Sequence, residues 1–193
     1  MGFLSVLSFA HKLVSERITS GDVVVDATIG TGTDTLFLSR SVGPRGHVFG
    51  FDIQQEALVL TQQRLDHNAH MPLSPVTLFA QSHADMNIAI STQHHGHLAA
   101  VMFNLGYLPS GTSDKQIITM ADSSIMALDA ALSLLKPGGI ITVVLYPGHP
   151  GGEQEADAVT AWASYIEQSV AQSIIYRQLQ RSDAPYVIAL EKK

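Results

Sequence analysis

VVVDATIGTGTD, residues 23–34, is the stretch around which the rest of the chain is organised. Its valines predict a buried strand that Asp26 closes, and Gly30 and Gly32 then lead into TLFLSRSV, which is typical of a helix. Glycine is needed where the backbone takes a positive φ or where a ligand lies against it. The helix that follows directs its free N–H groups to the same place. We therefore predict a ligand site over Gly30 and Gly32.

A second acidic residue, Asp52, ends the next predicted strand, HVFGFD. A carboxylate about twenty residues beyond a glycine loop suits the two hydroxyls of a ribose. The glycine loop and Asp52 together therefore indicate a nucleoside cofactor. The alternative is that the glycines only form a tight turn and the aspartates only cap a helix, because short glycine motifs also match by chance.

The pattern after the first strand narrows the choice of nucleoside. Thr35 stands where a dinucleotide fingerprint has its third glycine, and the Gly-Lys-Ser/Thr of a phosphate-binding loop is absent. The remaining common cofactor is S-adenosylmethionine, whose cationic sulfonium and amino-acid tail suit a loop flanked by carboxylates. Asp26 and Asp34 are the carboxylates expected to flank it.

Composition is that of a globular α/β protein, with 193 residues, 46% of them hydrophobic and 15% charged. We expect one domain over residues 1–193, because the length is short for two. The absence of cysteine excludes disulfides, thiolate metal sites and a cysteine nucleophile. The first residues, MGFLSVLSFAHKLV, carry no basic region and are too short an apolar run for a membrane span, so we expect a cytoplasmic protein with no membrane association.

A net charge of −6 argues against broad electrostatic binding of nucleic acid. It leaves room for a local basic patch, combined with stacking of a splayed base. The candidates are near the C-terminal end of the sequence, and a homodimer would widen the patch: Arg177, Arg181, Lys192 and Lys193.

Predicted strands and helices alternate along most of the chain. The predicted helices cover residues 3–20, 35–42, 54–68, 85–90, 120–135 and 153–168, and the predicted strands cover 23–26, 47–52, 76–80, 98–105, 140–146, 173–178 and 186–191. This order predicts an α/β protein whose Rossmann-like sheet is mostly parallel, ends in an antiparallel C-terminal hairpin and has helices on both faces. We interpret Lys136 to Gly139 as the loop that stops a helix. We interpret the histidines of STQHHGH as surface residues and assign no metal.

The fourth strand ends in Asn104-Leu105-Gly106-Tyr107. An asparagine oxygen and the next backbone carbonyl are two acceptors that hold an amine, so that its lone pair points at a methyl donor nearby. The spacing matches the Asn-Pro-Pro-Tyr pattern of amino-group methyltransferases, with Leu105 and Gly106 in place of the prolines. The alternative is a strand that runs into an asparagine turn against which Tyr107 packs.

The fifth strand ends in Tyr146, and a glycine-rich turn follows that contains His149. A histidine with an ordinary pKa near ~6.5 is able to accept a proton from a reacting amine. An exposed histidine in a glycine-rich turn explains the same residues equally well.

The whole chain resembles the small class I S-adenosylmethionine-dependent methyltransferases that have been labelled rRNA methylases. Members of that family act as tRNA 5-(aminomethyl)-2-thiouridine methyltransferases. The resemblance rests on DATIGTGTDT (26–35), FDIQ (51–54), Ser82-His83, FNLGYLPSG (103–111), YPGHPGG (146–152) and APYVIALEKK (184–193).

The resemblance implies methyl transfer to the exocyclic amine of the modified wobble uridine, with the tRNA anticodon stem-loop as partner. The cofactor residues it implies are Asp26, Thr28, Gly30, Gly32, Thr33, Asp34, Asp52, Ile53, Gln54, Ser82, His83 and Asn104. Among these, we expect Ile53, Ser82 and His83 to lie at the adenine. The residues expected to act on the amine are Asn104, Tyr107, Tyr146 and His149. An rRNA or small-molecule methyltransferase, or a non-catalytic nucleoside-binding module, remains open on the same fold.

Overall fold

A computed structural model describes residues 2–106, 120–148 and 151–193 of the protein. Within these ranges the strands are β1 Val23–Asp26, β2 His47–Asp52, β3 Val76–Ala80, β4 Leu98–Asn104, β5 Leu135–Leu145, β6 Ala171–Tyr176 and β7 Tyr186–Lys192. The α-helices are α1 Val6–Ser15, α2 Thr33–Val42, α3 Gln55–His67, α4 Met86–Ala89, α5 Ala121–Leu134 and α6 Gly152–Tyr165, with 3₁₀ turns at His83–Asp85 and Thr92–His94. None of the described helices is long and apolar enough to cross a membrane.

The strands form one sheet in the order β3-β2-β1-β4-β5-β7-β6. Strands β1 to β5 are parallel to one another, whereas β7 is antiparallel to both β5 and β6. The carboxyl ends of the parallel strands therefore meet at one edge, where ligands of open α/β sheets bind. Tyr186, the first residue of β7, pairs with Leu145 at that same edge.

Each face of the sheet has its own apolar layer. Phe103 packs with the helices α4, α5 and α6, whereas its neighbour Met102 packs with α1 and α2. Because side chains alternate along a strand, Asn104 lies on the α1 face with Met102. Tyr146 is two residues beyond Val144 and therefore lies on the same face, where it packs against the apolar layer that contains α1. The asparagine and the tyrosine predicted to act on the amine therefore share one face.

Most predicted elements are confirmed, including the antiparallel hairpin of β6 and β7. The prediction of a helix over residues 3–20 is wrong at both ends. The helix begins at Val6, after Ser5 accepts a hydrogen bond from the Ser8 N–H (3.1 Å), and it ends at Ser15. The chain then turns, because the N–H of Thr19 donates to the carboxylate of Asp22 (2.7 Å).

The prediction of a loop at Lys136 to Gly139 is also wrong. These residues lie inside β5, since Leu135 already pairs with Leu98 and the register shifts before Ala100 pairs with Ile140. The segment is thus a bulge within a strand, a position where glycine is tolerated.

Candidate functional site

A cavity of about 890 Å³ lies beyond the carboxyl ends of β1, β2, β4 and β5. Helix α1 and the segment before β7 add further walls. The predicted site residues that line the cavity are Thr28, Gly30, Thr33, Asp34, Asp52, Ile53, Gln54, Ser82, His83, Asn104 and Tyr146. Residues from both predicted groups, the cofactor side and the amine side, therefore share one cavity.

The glycine loop has the conformation that its sequence predicts. Gly30 and Gly32 have φ angles of 50° and 77°, in the left-handed region that favours glycine. A Cβ on Gly32 would lie 2.8 Å from the Cα of Thr61, so this glycine also allows α3 to approach the loop. Gly30 lines the cavity, whereas Gly32 packs against α3.

Asp52 joins the glycine loop to the end of β2. Its carboxylate accepts hydrogen bonds from the N–H groups of Gly30 (3.2 Å) and Gln54 (2.9 Å). Burial raises the pKa of Asp52, while these two N–H groups act in the opposite direction. The carboxylate is held at the cavity wall before any ligand arrives, which suits a group that binds a diol.

Asp26 is not among the described residues that line the cavity, and its role at the cofactor stays a prediction. It is fully buried and accepts hydrogen bonds from the hydroxyl of Thr35 (2.6 Å) and the N–H of Thr28 (3.2 Å). Burial, and then the charge of Asp34, raises the pKa of Asp26 to about 7.

One end of the cavity combines the exposed apolar side chain of Ile53 with the polar side chains of Ser82 and His83. Ile53 is 59% exposed, a large fraction for an isoleucine. The hydroxyl of Ser82 accepts a hydrogen bond from the N–H of Ala84 (3.2 Å). This end offers an apolar surface for a flat ring together with polar groups at its edge.

His83 lies at the same end, on the α5 face of the sheet. Its Nδ1 donates to the carbonyl of Ala27 (3.2 Å), and its ring meets Phe103 edge-on. Burial lowers the pKa of His83, so the ring is neutral and Nε2 is an acceptor. This buried Nε2 has no hydrogen-bond partner among the described residues.

Asn104 and Tyr146 form the opposite end. The backbone N–H of Asn104 donates to the hydroxyl of Thr28 (2.7 Å), which ties the end of β4 to the end of β1. Its side-chain Oδ1 is buried and has no partner in the described part of the chain. Burial and the charge of Asp34 raise the pKa of Tyr146, while a hydrogen bond with the Asn104 side chain lowers it. Tyr107 and His149 lie outside the described residues.

Helix α1 and the residue that caps it contribute cavity residues that sequence reasoning missed, namely Ser5 at the cap and Ser8 and His11 in the helix. The Nε2 atom of His11 lies 2.6 Å from Oδ1 of Asp34. Its ring stacks on Phe37, with centroids 4.0 Å apart and planes at 3°. The apolar stripe of α1 predicted that the helix packs on the sheet, but a polar residue beside that stripe is typical of any surface helix. No sequence signal distinguished His11.

The predicted basic patch is split between two edges of the sheet. Arg177 donates to the carbonyl of Ser182 (2.7 Å), and Arg181 lies 3.7 Å from Asp183, which lines the cavity. Lys192 and Lys193 lie at the far end of β7, because that strand runs away from the cavity. The prediction that all four residues form one patch is therefore wrong.

The family model described as "Putative rRNA methylase" matches residues 48–192. A curated relative from Arabidopsis thaliana, "tRNA (mnm(5)s(2)U34)-methyltransferase, chloroplastic", is 38% identical over 190 residues, which cover 95% of this chain and 68% of the relative.

Solved structures agree with this match. A crystal structure from Clostridium thermocellum, described as a "putative rRNA-methylase", is 36% identical and superposes with a TM-score of 0.90 over 100% of both chains. A crystal structure from Streptococcus mutans, described as "a putative methyltransferase" in complex with SAH, is 27% identical and superposes with a TM-score of 0.85 over 100% of both chains.

Proposed function

This chain belongs to the rRNA methylase family, and on that premise we propose that it methylates tRNA. The reaction moves a methyl group from S-adenosylmethionine to the exocyclic amine of 5-aminomethyl-2-thiouridine at the wobble position. The observation that carries this proposal is the buried Oδ1 of Asn104 in the cavity, which has no hydrogen-bond partner among the described residues. It is an acceptor placed where an amine would satisfy it. The name of the plant relative gives the methylated wobble nucleoside, and the same nucleoside without that methyl group is the proposed acceptor.

The cofactor half of the cavity fits S-adenosylmethionine. Asp52 would bind the ribose hydroxyls, and the glycine loop with Thr33 and Asp34 would receive the methionine part. The exposed surface of Ile53, with Ser82 and His83, would hold the adenine. When bound, the cofactor supplies an electrophilic methyl group on a sulfonium. The relative solved with SAH supports this assignment.

The amine half of the cavity would orient the nucleophile. Asn104 Oδ1 accepts one amine hydrogen and thereby directs the nitrogen lone pair. Holding two reactants in a reactive geometry lowers the barrier by several kcal/mol, about 7–11 at best. Tyr146, through its contact with Asn104, keeps the amide in place, and Tyr107 and His149 remain predicted to act on the amine.

A wobble base reaches this cavity only if it leaves the stack of the anticodon loop, as loop bases bound by proteins commonly do. The anticodon stem-loop would then lie against the cavity rim that bears Arg177 and Arg181. A second copy of the chain would widen this surface.

Mass spectrometry of tRNA nucleosides from a strain that lacks the protein tests the proposal. We expect the methylaminomethyl nucleoside to disappear and the aminomethyl nucleoside to accumulate. Purified protein with S-adenosylmethionine should restore the methylated nucleoside in that tRNA. Unchanged tRNA with undermethylated rRNA would favour the rRNA alternative. Cofactor binding without any methyl transfer would favour a non-catalytic module.

A further inference from the structure

The proposed reaction needs a proton acceptor beside the amine. A primary alkylamine is mostly protonated at neutral pH, and an ammonium has no lone pair with which to attack a methyl group. Asn104 orients the amine but does not accept a proton. Another group at the amine end of the cavity must therefore take it.

His11 and Asp34 form a fixed pair, and Asp34, which the proposed function places at the methionine part of the cofactor, would lie between the methyl donor and the amine. His11 Nε2 lies 2.6 Å from Asp34 Oδ1, and both residues line the cavity. The stack of His11 on Phe37, one helical turn beyond Asp34 on α2, holds the plane of the imidazole ring. Two separate elements, α1 and α2, thus present one hydrogen-bonded acid–base unit to the cavity.

The pair lies on the same face of the sheet as the amine-holding residues. Asn104 and Tyr146 are on the α1 face, and His11 reaches the cavity from α1 itself. The charge of Asp34 acts on the Tyr146 hydroxyl strongly enough to help raise the pKa of Tyr146. Since all four side chains line the same cavity, we infer that the pair lies near the amine position.

The other described acids and bases near the cavity are less suitable. Asp26 is fully buried, and both of its carboxylate oxygens accept hydrogen bonds. Asp52 is held by two backbone N–H groups at the ribose position. His83 lies with Phe103 on the opposite face of the sheet.

We propose, on the basis of the proposed function, that the His11–Asp34 pair accepts the proton of the substrate ammonium. The pair takes one proton, and the neutral nitrogen then attacks the methyl carbon. The carbon–sulfur bond breaks with its electrons staying on sulfur, which becomes a neutral thioether. The product is a secondary ammonium, and the pair returns its proton to water.

Several charged or titratable groups in the described part of the chain face this pair or share its cavity. They are Asp26 on β1, Asp52 on β2, Tyr146 after β5 and Asp183 before β7. Lys12, the neighbour of His11 on α1, forms an ion pair with Glu16. The Asp34 carboxylate brings negative charge to this part of the cavity, which favours binding of an ammonium and gives its proton a nearby acceptor.

The test is His11→Gln, because glutamine still donates a hydrogen bond to Asp34 but does not accept a proton. Single-turnover methyl transfer to aminomethyl-uridine tRNA is measured between pH 6.5 and 9.5 at saturating S-adenosylmethionine. We expect a rate loss of about 100-fold at pH 7 that shrinks to within about fivefold at pH 9.5, where solvent deprotonates the amine. Calorimetry should show an affinity for S-adenosylmethionine within about threefold of wild type.

Control variants make the result specific. His70→Gln changes an exposed histidine outside the cavity and should match wild type. A His11→Gln profile parallel to wild type, or a defect confined to cofactor affinity, would overturn the proposal. So would a pH-dependent loss in His149→Gln that His11→Gln lacks. If wild-type protein itself fails to methylate this tRNA, the proposed function is what fails.

Discussion

The two halves of the cavity are built in different ways. In the cofactor half, Asp52 already bonds to two backbone N–H groups, and the glycine loop, β1 and β2 are close in sequence. In the amine half, Asn104 leaves a buried oxygen without a described partner. Its walls come from α1, β4, β5 and the segment before β7, which are far apart in sequence.

This difference indicates that cofactor binding and methyl transfer depend on different residues. A carboxylate held by local backbone is preorganised before a ligand binds, whereas a half assembled from distant segments depends on how those segments pack. We therefore expect changes in the cofactor half to alter affinity for S-adenosylmethionine. Changes in the amine half should alter the rate of methyl transfer.

The largest effect should come from Asn104→Ala. Loss of the oriented amide should reduce turnover by about 100- to 1,000-fold at every pH, with cofactor affinity within about threefold of wild type. Rates at saturating tRNA and calorimetry with S-adenosylmethionine measure the two quantities. Asn87→Ala, at an exposed position outside the cavity, is the matched control. Equal losses of rate and cofactor affinity would contradict the assignment of binding and reaction to different halves of the cavity.

Asp52→Ala should have the next largest effect, on the other half. It removes charge-assisted hydrogen bonds worth about 1.5–3 kcal/mol each, so the affinity for S-adenosylmethionine should fall at least about tenfold. The rate at saturating cofactor should change much less. Calorimetry on the folded variant checks this, and an unchanged affinity would remove Asp52 from the ribose site.

Asp26 gives a pH-dependent prediction. Its folded pKa of about 7 lies above the ordinary value of 3.8, so between these pH values only the folded state keeps the proton. The stabilisation is complete below the ordinary pKa and is lost as pH rises through 7. Asp26→Asn should remove this part of the pH dependence and lessen the fall in Tm between pH 5 and 8 by about 5–10 °C. Identical pH slopes in thermal melts of both proteins would contradict it.

The smallest effect concerns the rim. Arg181→Gln should weaken binding of an anticodon stem-loop about threefold and reduce its salt dependence, because one phosphate contact is lost. Lys193→Gln, at the opposite edge of the sheet, should leave both unchanged. Fluorescence titrations at about 50 to 200 mM salt measure the affinity of the three proteins for the stem-loop. Salt-independent binding by wild type would contradict phosphate contact at the rim.

The cofactor half of the cavity could be predicted from the sequence better than the amine half. The glycine loop and Asp52 were predictable because their geometry depends on neighbours along the chain and on one strand pairing. His11 was not, since only the packing of α1 against β5 and β7 brings it to Asp34. The burial of Asp26 depends on which way the side chain turns at the end of β1, towards Thr35. The position of Lys192 follows from the direction in which β7 runs. The sequence pattern predicted that β6 and β7 form a hairpin, but it did not predict which end of β7 lies at the cavity.

The position of β7 between β5 and β6 has a consequence for how the protein is made. A ribosome produces the chain from α1 onwards, yet α1 packs on β5 and β7. Until residues 186–192 emerge, α1 lacks part of its docking surface, and β6 has no strand to pair with. A nascent chain therefore completes the glycine loop early and the wall that bears His11 late. Translation pauses or truncations before residue 186 should thus release chains that lack an assembled amine half.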